Sequence, residues 1–292
     1  PIGGFCSMEG EDQSSDNPNA FEKKAVWRRM LVVLAGAFMN LVLGFVLIVA
    51  LLCTSTKIPS TVIARFAETT NSAGETVTAA ESERSGLQVG DKIVAIDGSH
   101  ILSATDLIYK LQTTETDSYD VTVKRDGARV VVENVKFHND NTDGLLDFAV
   151  EGKSKNPVNV VTYAAKDTAA TAKLIWMSLV ELVSGKYSLQ DLSGPVGTVS
   201  VIEQAASSGK NLLERVQSVM NLTIFITVNV GVFNLLPIPG LDGSRFVFLL
   251  IEAIRRKPVP KNREAMVHLI GMAALFLLMI LVTVQDITRF FR

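Results

Sequence analysis

The chain has 292 residues, 48% of them hydrophobic and 20% charged, with a mean hydropathy of +0.29. That balance is too apolar for an ordinary soluble enzyme but leaves enough charge for a substantial aqueous portion, so we expect both membrane and aqueous parts. The net charge of -2, without a long basic run or a glycine-rich phosphate loop, argues against nucleic-acid and nucleotide partners. Two cysteines, Cys6 and Cys53, indicate neither a disulfide framework nor a cysteine metal site.

The N-terminal segment leads into an apolar run. The first residue is Pro1 rather than methionine, so we expect the natural protein to begin upstream of it. Residues 1–29 end in a basic flank. The run from Met30 to Cys53 carries no charge and is close to the roughly 20 residues that cross a hydrocarbon core. We therefore predict a transmembrane helix over residues 30–55.

Residues 56–153 have the pattern of a small α+β domain. Short β-rich runs at 121–124 and 130–132 flank the turn Asp126-Gly127, and residues 105–111 favour a helix. Residues 154–212 are predicted to form juxtamembrane helices. Asn156 and Pro157 supply an N-cap and a first-turn proline, and the helix should run to Ser184. Its most apolar part, 174–183, is too short to span a bilayer, so we expect it on the membrane surface or against other helices.

The last region, residues 213–292, predicts two further transmembrane helices. The run 216–241 is uncharged but contains Asn221, Asn229 and Asn234, which favours packing against other helices. Residues 265–285 form the last predicted span, and we interpret its one histidine, His268, as a helix-end or packing residue. The predicted fold class is a polytopic α-helical membrane protein with an inserted α+β domain.

Basic residues flank the predicted spans unevenly. Four of them precede the first span, and six lie between the second and the third: Arg245, Arg255, Arg256, Lys257, Lys261 and Arg263. By the positive-inside rule both flanks are cytoplasmic. The sequence therefore predicts a multi-pass protein of the cell membrane whose long region, 54–213, lies outside the cytoplasm.

The segment from Phe233 to Gly243 is the most informative part of the chain. It places Pro237, Pro239 and Asp242 at the end of an apolar run. Charge at membrane depth costs roughly 2.5 kcal/mol or more, and prolines free backbone groups that lipid cannot satisfy. We therefore predict a polar site within the membrane. Taken alone, Asp242 is compatible with the N-cap of a helix over 243–254 or with a functional carboxylate.

Two signatures resemble a known family. The motif Asn234-x-x-Pro237-x-Pro239-x-Leu241-Asp242-Gly243 resembles the third-ligand motif of the site-2 protease family, the intramembrane zinc metalloproteases. The run from Ser85 to Gly98 resembles the core of a bacterial PDZ domain. Together they are similar to the regulator-of-sigma-E protease branch, and three further stretches match that branch in order: 1–5, 35–40 and 193–197.

The chain departs from the family pattern in three ways. Ala37 stands where the family usually has proline, and Ser244 where it has a second glycine. The His-Glu-x-x-His motif of the family's first transmembrane helix is absent, because none of His100, His138 and His268 has the needed glutamate or second histidine beside it. We therefore expect no catalytic residue in this chain, and we expect these residues alone neither to hold catalytic zinc nor to cleave peptide.

The resemblance implies that Asp242 is a zinc ligand. Hydrolysis of a peptide bond by zinc needs a metal with an open position and a base that takes a proton from water. Asp242 would complete a ligand set with the two missing histidines. Asn40 could bind a substrate strand or a neighbouring helix. Asn234 could orient the turn, bind extended substrate, or satisfy the backbone freed by Pro237.

The resemblance also assigns roles at the edges of the site. Pro237 and Pro239 would shape the unwound turn. Gly3 and Gly4 would allow a hairpin that adds a strand to the substrate, unless they belong to a disordered end. The PDZ-like domain would bind an extended peptide or a C-terminus and would act as a size filter.

Two functions of different classes follow. The first is a zinc metalloprotease that cleaves single-pass membrane substrates, such as anti-sigma factors or remnant signal peptides, in regulated intramembrane proteolysis. The second is a non-catalytic adaptor that holds membrane partners through its PDZ-like domain and helices. A His-Glu-x-x-His motif upstream of Pro1 would distinguish them. The branch resemblance also implies a bacterial protein embedded in the lipid bilayer.

Overall fold

The computed structural model describes residues 8–10, 15–67, 69–70, 76–78, 80–113, 116–137, 147–185, 195–207, 209 and 211–290. Gly3 and Gly4, the predicted hairpin glycines, lie outside the described residues. The chain divides into two compact units, one of residues 1–44 and 175–292 and the other of residues 45–174. The helices are α1 (Val26–Thr54), α2 (Glu81–Arg84), α3 (Ala104–Thr113), α4 (Pro157–Val183), α5 (Pro195–Ser207), α6 (Leu212–Asn234), α7 (Asp242–Arg255) and α8 (Lys261–Phe290). The strands are β1 (Ile58–Phe66), β2 (Thr69–Thr70), β3 (Thr76–Thr78), β4 (Lys92–Ile96), β5 (Ser99–His100), β6 (Tyr119–Arg125), β7 (Ala128–Val135) and β8 (Phe148–Lys153).

Three of the described helices are long and apolar enough to cross a membrane. They are α1, α6 and the part of α8 from Asn262 to Thr288, which agrees with the three predicted spans. The prediction placed the end of the second span at residue 241, but α6 ends at Asn234. The approach of Pro237 explains this difference, because proline removes a backbone donor and disfavours helical geometry in the residue before it. In α8 many large apolar side chains, such as Leu269 and Phe276, are exposed, as expected where lipid is the solvent.

The unit of residues 45–174 is built on an antiparallel sheet. Its strands follow the order β7-β6-β4-β1-β8, with β5 paired to β4, and β2 and β3 form a separate pair. Along β6 the side chains of Tyr119, Val121 and Val123 are buried, whereas those of Asp120 and Lys124 are exposed. This alternation puts one face of the sheet on the hydrophobic core, into which α3 also packs.

Local signals fix several elements where the sequence predicts them. The hairpin of β6 and β7 turns at Asp126 and Gly127, whose φ angles are 49° and 88°, so the two-residue turn has the geometry that matches strand twist. α4 begins at Pro157, and the Asn159 N–H donates to Asn156 Oδ1 at 2.7 Å. The predicted hairpin, the helix over 105–111 and the predicted start of α4 are therefore confirmed.

A buried ion pair ties β6 to the loop before β4. The carboxylate of Asp91, only 1% exposed, accepts from Arg125 Nε at 2.7 Å and from Arg125 Nη2 at 2.6 Å. It also accepts from the Gln88 N–H at 2.9 Å, and Arg125 Nη2 donates to Gly86 O. Every strong donor around the carboxylate is thus used, which is the condition for a buried charge to be tolerated.

We expect Asp91→Ala to destabilise the sheet by about 2 kcal/mol, because the Gln88 N–H and the partly exposed Arg125 guanidinium lose their acceptor. The measurement is hydrogen exchange of the β4 and β6 amides in the whole chain, where protection should fall. Asp117→Ala, at an exposed position outside the sheet, is the matched control. Equal protection in the two variants would contradict the expectation.

Candidate functional site

The Pro-x-Pro segment forms a turn between α6 and α7. It covers residues 235–241, and the Leu241 N–H donates to Ile238 O at 3.1 Å. Gly240 bends the chain with a φ of +101°, a backbone conformation that L side chains rarely adopt. The turn therefore delivers Asp242 as the first residue of α7.

Close backbone contacts hold this turn on two sides. A Cβ atom placed on Gly243 would collide with Leu236 O, and one placed on Gly271 of α8 would collide with Pro239 O. The Gly240 N–H donates to Nδ1 of His268, one turn before Gly271, at 3.2 Å. The turn is thus fixed against the end of α6 and against α8.

Asp242 does not act as a helix cap. The N-cap position of α7 is Leu241, and no side-chain capping hydrogen bond is made there. The Asp242 carboxylate is half-buried, and no residue in the described part of the chain donates a hydrogen bond to it. A Cβ atom on Gly36 would lie 3.7 Å from Asp242 Oδ2, so the carboxylate reaches towards α1. The capping interpretation is therefore wrong for this carboxylate.

Asn40 lies on the same face of α1 as Gly36, one turn further along. It packs against α6, because a Cβ atom on Gly231 would lie 3.1 Å from Asn40 Cβ. Asn234 is the last residue of α6 and is half-buried. Neither amide makes a hydrogen bond to any residue that the structure describes. The amides are thus available to other groups, and Asn234 does not satisfy the backbone freed by Pro237.

The two substitutions relative to the family pattern are accommodated in the packing. Ala37, which stands where the family has proline, is fully buried, and its carbonyl oxygen lies beside Gly231 of α6. Ser244 is 4% exposed, and its Oγ donates to Leu241 O at 2.8 Å. The serine hydroxyl therefore adds a hydrogen bond to the turn that glycine could not make.

A cavity of about 840 Å³ has His268 in its wall. Its wall includes the ion pair of α1 and α7, in which Arg29 Nη1 donates to Glu252 Oε2 at 3.2 Å. Phe248 of α7 packs against the His268 ring, with ring centroids 5.9 Å apart. His268 therefore connects the cavity wall to the turn that carries Asp242.

The described residues can supply only part of a metal centre. A catalytic zinc takes three protein ligands and keeps one position open. In the ranges that the structure describes, no group of three His, Cys, Asp or Glu side chains could hold a metal ion. Asp242 is suited to be one of these ligands, because its half-buried carboxylate accepts no competing hydrogen bond from the residues that the structure describes. A complete centre would need further ligands besides Asp242.

Residues 1–278 match the family model of Peptidase family M50. The chain belongs to peptidase family M50. The predicted membership of the site-2 protease family is thereby confirmed.

Three of the proteins to which the chain is similar are named as proteases. The chain is 35% identical to the regulator of sigma-W protease RasP of Bacillus subtilis, over 98% of this chain and 65% of the relative. It is 34% identical to the zinc metalloprotease RasP of Bacillus licheniformis, over 98% of this chain and 66% of the relative. It is 30% identical to the zinc metalloprotease RasP of Geobacillus kaustophilus, over 98% of this chain and 65% of the relative. The chain thus spans slightly less than two thirds of the length of these three relatives.

Two contacts of the turn at residues 235–241 were not predicted from the sequence. His268 was interpreted only as a helix-end or packing residue, and Gly271 was not singled out. Both contacts join residues about 30 positions apart, His268 to Gly240 and Gly271 to Pro239. The only local signal was that His268 is the one titratable residue within the predicted last span.

Proposed function

We propose that the whole protein is an intramembrane zinc metalloprotease of the site-2 type that works in regulated intramembrane proteolysis. The observation that carries this proposal is Asp242, a half-buried carboxylate at the start of α7 without a capping or other hydrogen bond from described residues. Membership of family M50 and relatives named zinc metalloproteases support zinc as the metal.

The proposed roles are those that the family resemblance implies, and the positions of Asp242, Asn40 and Asn234 support them. Asp242 binds the metal and neutralises part of its charge. When bound, zinc supplies a water of lowered pKa for attack on the peptide bond. The other ligands and the general base come from a His-Glu-x-x-His motif outside the 292 residues. Asn40 and Asn234 use their amides to hold an extended substrate backbone.

The remaining site residues shape the path of the substrate. Pro237 and Pro239 keep the turn unwound so that the carboxylate of Asp242 stays accessible. For Gly3 and Gly4, which lie outside the described residues, the proposed role is the one that the family resemblance implies, adding a strand to the substrate. The substrates are single-pass membrane proteins of the anti-sigma factor or signal-peptide type, held while their backbone is unwound.

Residues 56–153 act as a PDZ-like domain on the extracytoplasmic side of a bacterial cell membrane. Two observations support this proposal. The run from Ser85 to Gly98 contains β4 and leads into β5, and basic residues flank the predicted spans. The domain binds an extended peptide or a C-terminus and keeps bulky substrates away from the site. No nucleic-acid partner is proposed.

The deciding experiment uses the whole protein in nanodiscs with a single-pass model substrate. We expect about one bound zinc per chain and cleavage that a zinc chelator abolishes. The 292 residues alone should bind no zinc stoichiometrically. A whole protein that holds no zinc and cleaves nothing, but still binds membrane partners, would be the non-catalytic adaptor instead.

The orientation can be tested by cysteine labelling in intact cells. Cys6 and Cys53 are first replaced by serine. A cysteine introduced at the exposed position Asp117, in the unit of residues 45–174, should then react with a membrane-impermeant maleimide. A cysteine at exposed Lys257, between α7 and α8, should react only after lysis. The reverse pattern would overturn the orientation.

A further inference from the structure

The unit of residues 45–174 contains a small, half-open cavity of about 90 Å³ whose wall is partly polar and partly apolar. Its walls come from the start of β1, the start of α3 and one face of α4. The α4 face presents Asn159, Thr162, Tyr163 and Lys166, a spacing that places side chains on one side of a helix. The volume equals roughly three water molecules at about 30 Å³ each, which suits a small polyatomic ion.

Three lysines line this cavity, and the fold brings them together from distant parts of the chain. Lys92 begins β4, Lys153 ends β8, and Lys166 lies on α4. No acidic side chain in the described part of this unit pairs with any of the three. Other lysines of the unit do have carboxylate partners, for example Lys173 with Asp106 at 3.1 Å. Lys92 is half-buried, and Lys153 and Lys166 are exposed at the rim, so the cavity gathers three positive charges without an acidic partner among the described residues.

The burial of Lys92 and the charges around it both act on the pKa of its ammonium group. Its ammonium group is half-buried, and burial lowers its pKa. The charges of Lys153, Lys166 and Lys124 lower that pKa further. An anion in the cavity would relieve both effects, because it would replace lost hydration and offset the repulsion.

A hydroxyl group in the cavity wall is also suited to bind an anion. Ser60 is buried, and its Oγ accepts from the Val62 N–H at 3.2 Å, which leaves its hydroxyl proton to donate. Two acids of α3 and α4 lie beside the cavity. Asp106 pairs with Lys173. Asp167 is hydrogen-bonded to Ser103, Thr105 and Tyr163, while its buried Oδ1 has no partner among the described residues. The burial of Asp167 raises its pKa, which reduces the negative charge that would repel an anion.

The cavity lies close to the end of a candidate membrane span. β1 begins at Ile58, four residues after the end of α1 at Thr54, so the two are at most about 14 Å apart. Lys155, which follows β8, donates from Nζ to Cys53 O at 2.8 Å and to Ser55 O at 3.1 Å. The chain on both sides of the cavity is therefore fixed near that end of α1, within reach of a lipid headgroup.

We propose that the cavity of Lys92, Lys153 and Lys166 binds a phosphate-class oxyanion. The ion is either the phosphate of a phospholipid headgroup or free phosphate. Three ammonium groups and a hydroxyl match an ion with several acceptor oxygens. The proposal is independent of the protease activity and concerns a different set of residues.

The first experiment measures binding of inorganic phosphate to residues 1–292 in neutral detergent, by calorimetry and by protection of lysines from acetic anhydride. We expect saturable binding that protects the three cavity lysines. Lys166→Gln should weaken binding at least fivefold, and Lys153→Gln with Lys166→Gln should abolish it. Lys136→Gln, an exposed lysine outside the cavity, removes the same charge and is the matched control.

The second experiment identifies the source of the ion, using nanodiscs with and without phosphatidylglycerol. Protection by that lipid without added phosphate indicates a headgroup, and protection only after phosphate is added indicates the free ion. Either result supports the site. The proposal is overturned if neither condition protects the three lysines, or if Lys136→Gln weakens phosphate binding as much as Lys166→Gln.

Discussion

Replacement of Asp242 by asparagine in the whole protein is expected to abolish cleavage while the fold and membrane insertion stay intact. The carboxylate accepts no hydrogen bond from described residues, so its loss breaks no contact that stabilises the turn. The amide is a weaker ligand and no longer neutralises the metal charge. We expect zinc affinity to fall by on the order of 100-fold or more, since changes even beyond the direct ligands cost 10–100-fold.

The measurement is zinc affinity by competition with a chromophoric chelator, together with turnover of a single-pass substrate. Asp286→Asn is the matched control in the same unit. The Asp286 carboxylate is buried on α8, and its Oδ2 accepts from the Gly197 N–H at 2.8 Å. We expect Asp286→Asn to lower thermal stability and to leave zinc affinity unchanged, whereas Asp242→Asn should do the opposite. Full turnover in Asp242→Asn would remove Asp242 from the metal centre.

Elements specified by neighbouring residues could be predicted from the sequence. Asn156 and Pro157 predict the start of α4, because a side-chain acceptor and a fixed φ act within one turn. Asp126 and Gly127 predict the β6 and β7 hairpin for the same kind of local reason. The motif around Asp242 likewise predicted an unwound turn at the end of an apolar helix.

Features that depend on distant contacts could not be predicted in this way. The apolar run continues through Leu235, Leu236 and Ile238, so hydropathy extends the second span beyond the residue where proline geometry ends α6. The Asp91 and Arg125 ion pair joins two strands, and nothing near either residue marks its partner. The lysine cavity is similar, because β4, β8 and α4 each contribute one ordinary lysine and only the fold brings them together.

The contact of α8 with the turn leads to the second large expected effect. Gly271→Ala would place a Cβ atom in collision with Pro239 O, far inside ordinary van der Waals contact, so α8 or the turn must shift. Pro239 lies three residues before Asp242, and the turn transmits the shift to the carboxylate. A misplacement of about 1 Å can cost on the order of 100-fold in rate, which is the loss of turnover we expect in the whole protein.

Gly271→Ala differs from Asp242→Asn in its effect on stability. Forcing a methyl group into a closed contact costs about 1–3 kcal/mol, so thermal unfolding should shift together with turnover. Ala274→Val enlarges an exposed position on the same helix and should change neither quantity. If Gly271→Ala kept wild-type turnover, α8 would be able to move away from Pro239 without displacing Asp242. The hydrogen bond between Gly240 and His268 would then have to position the turn without help from the Gly271 contact.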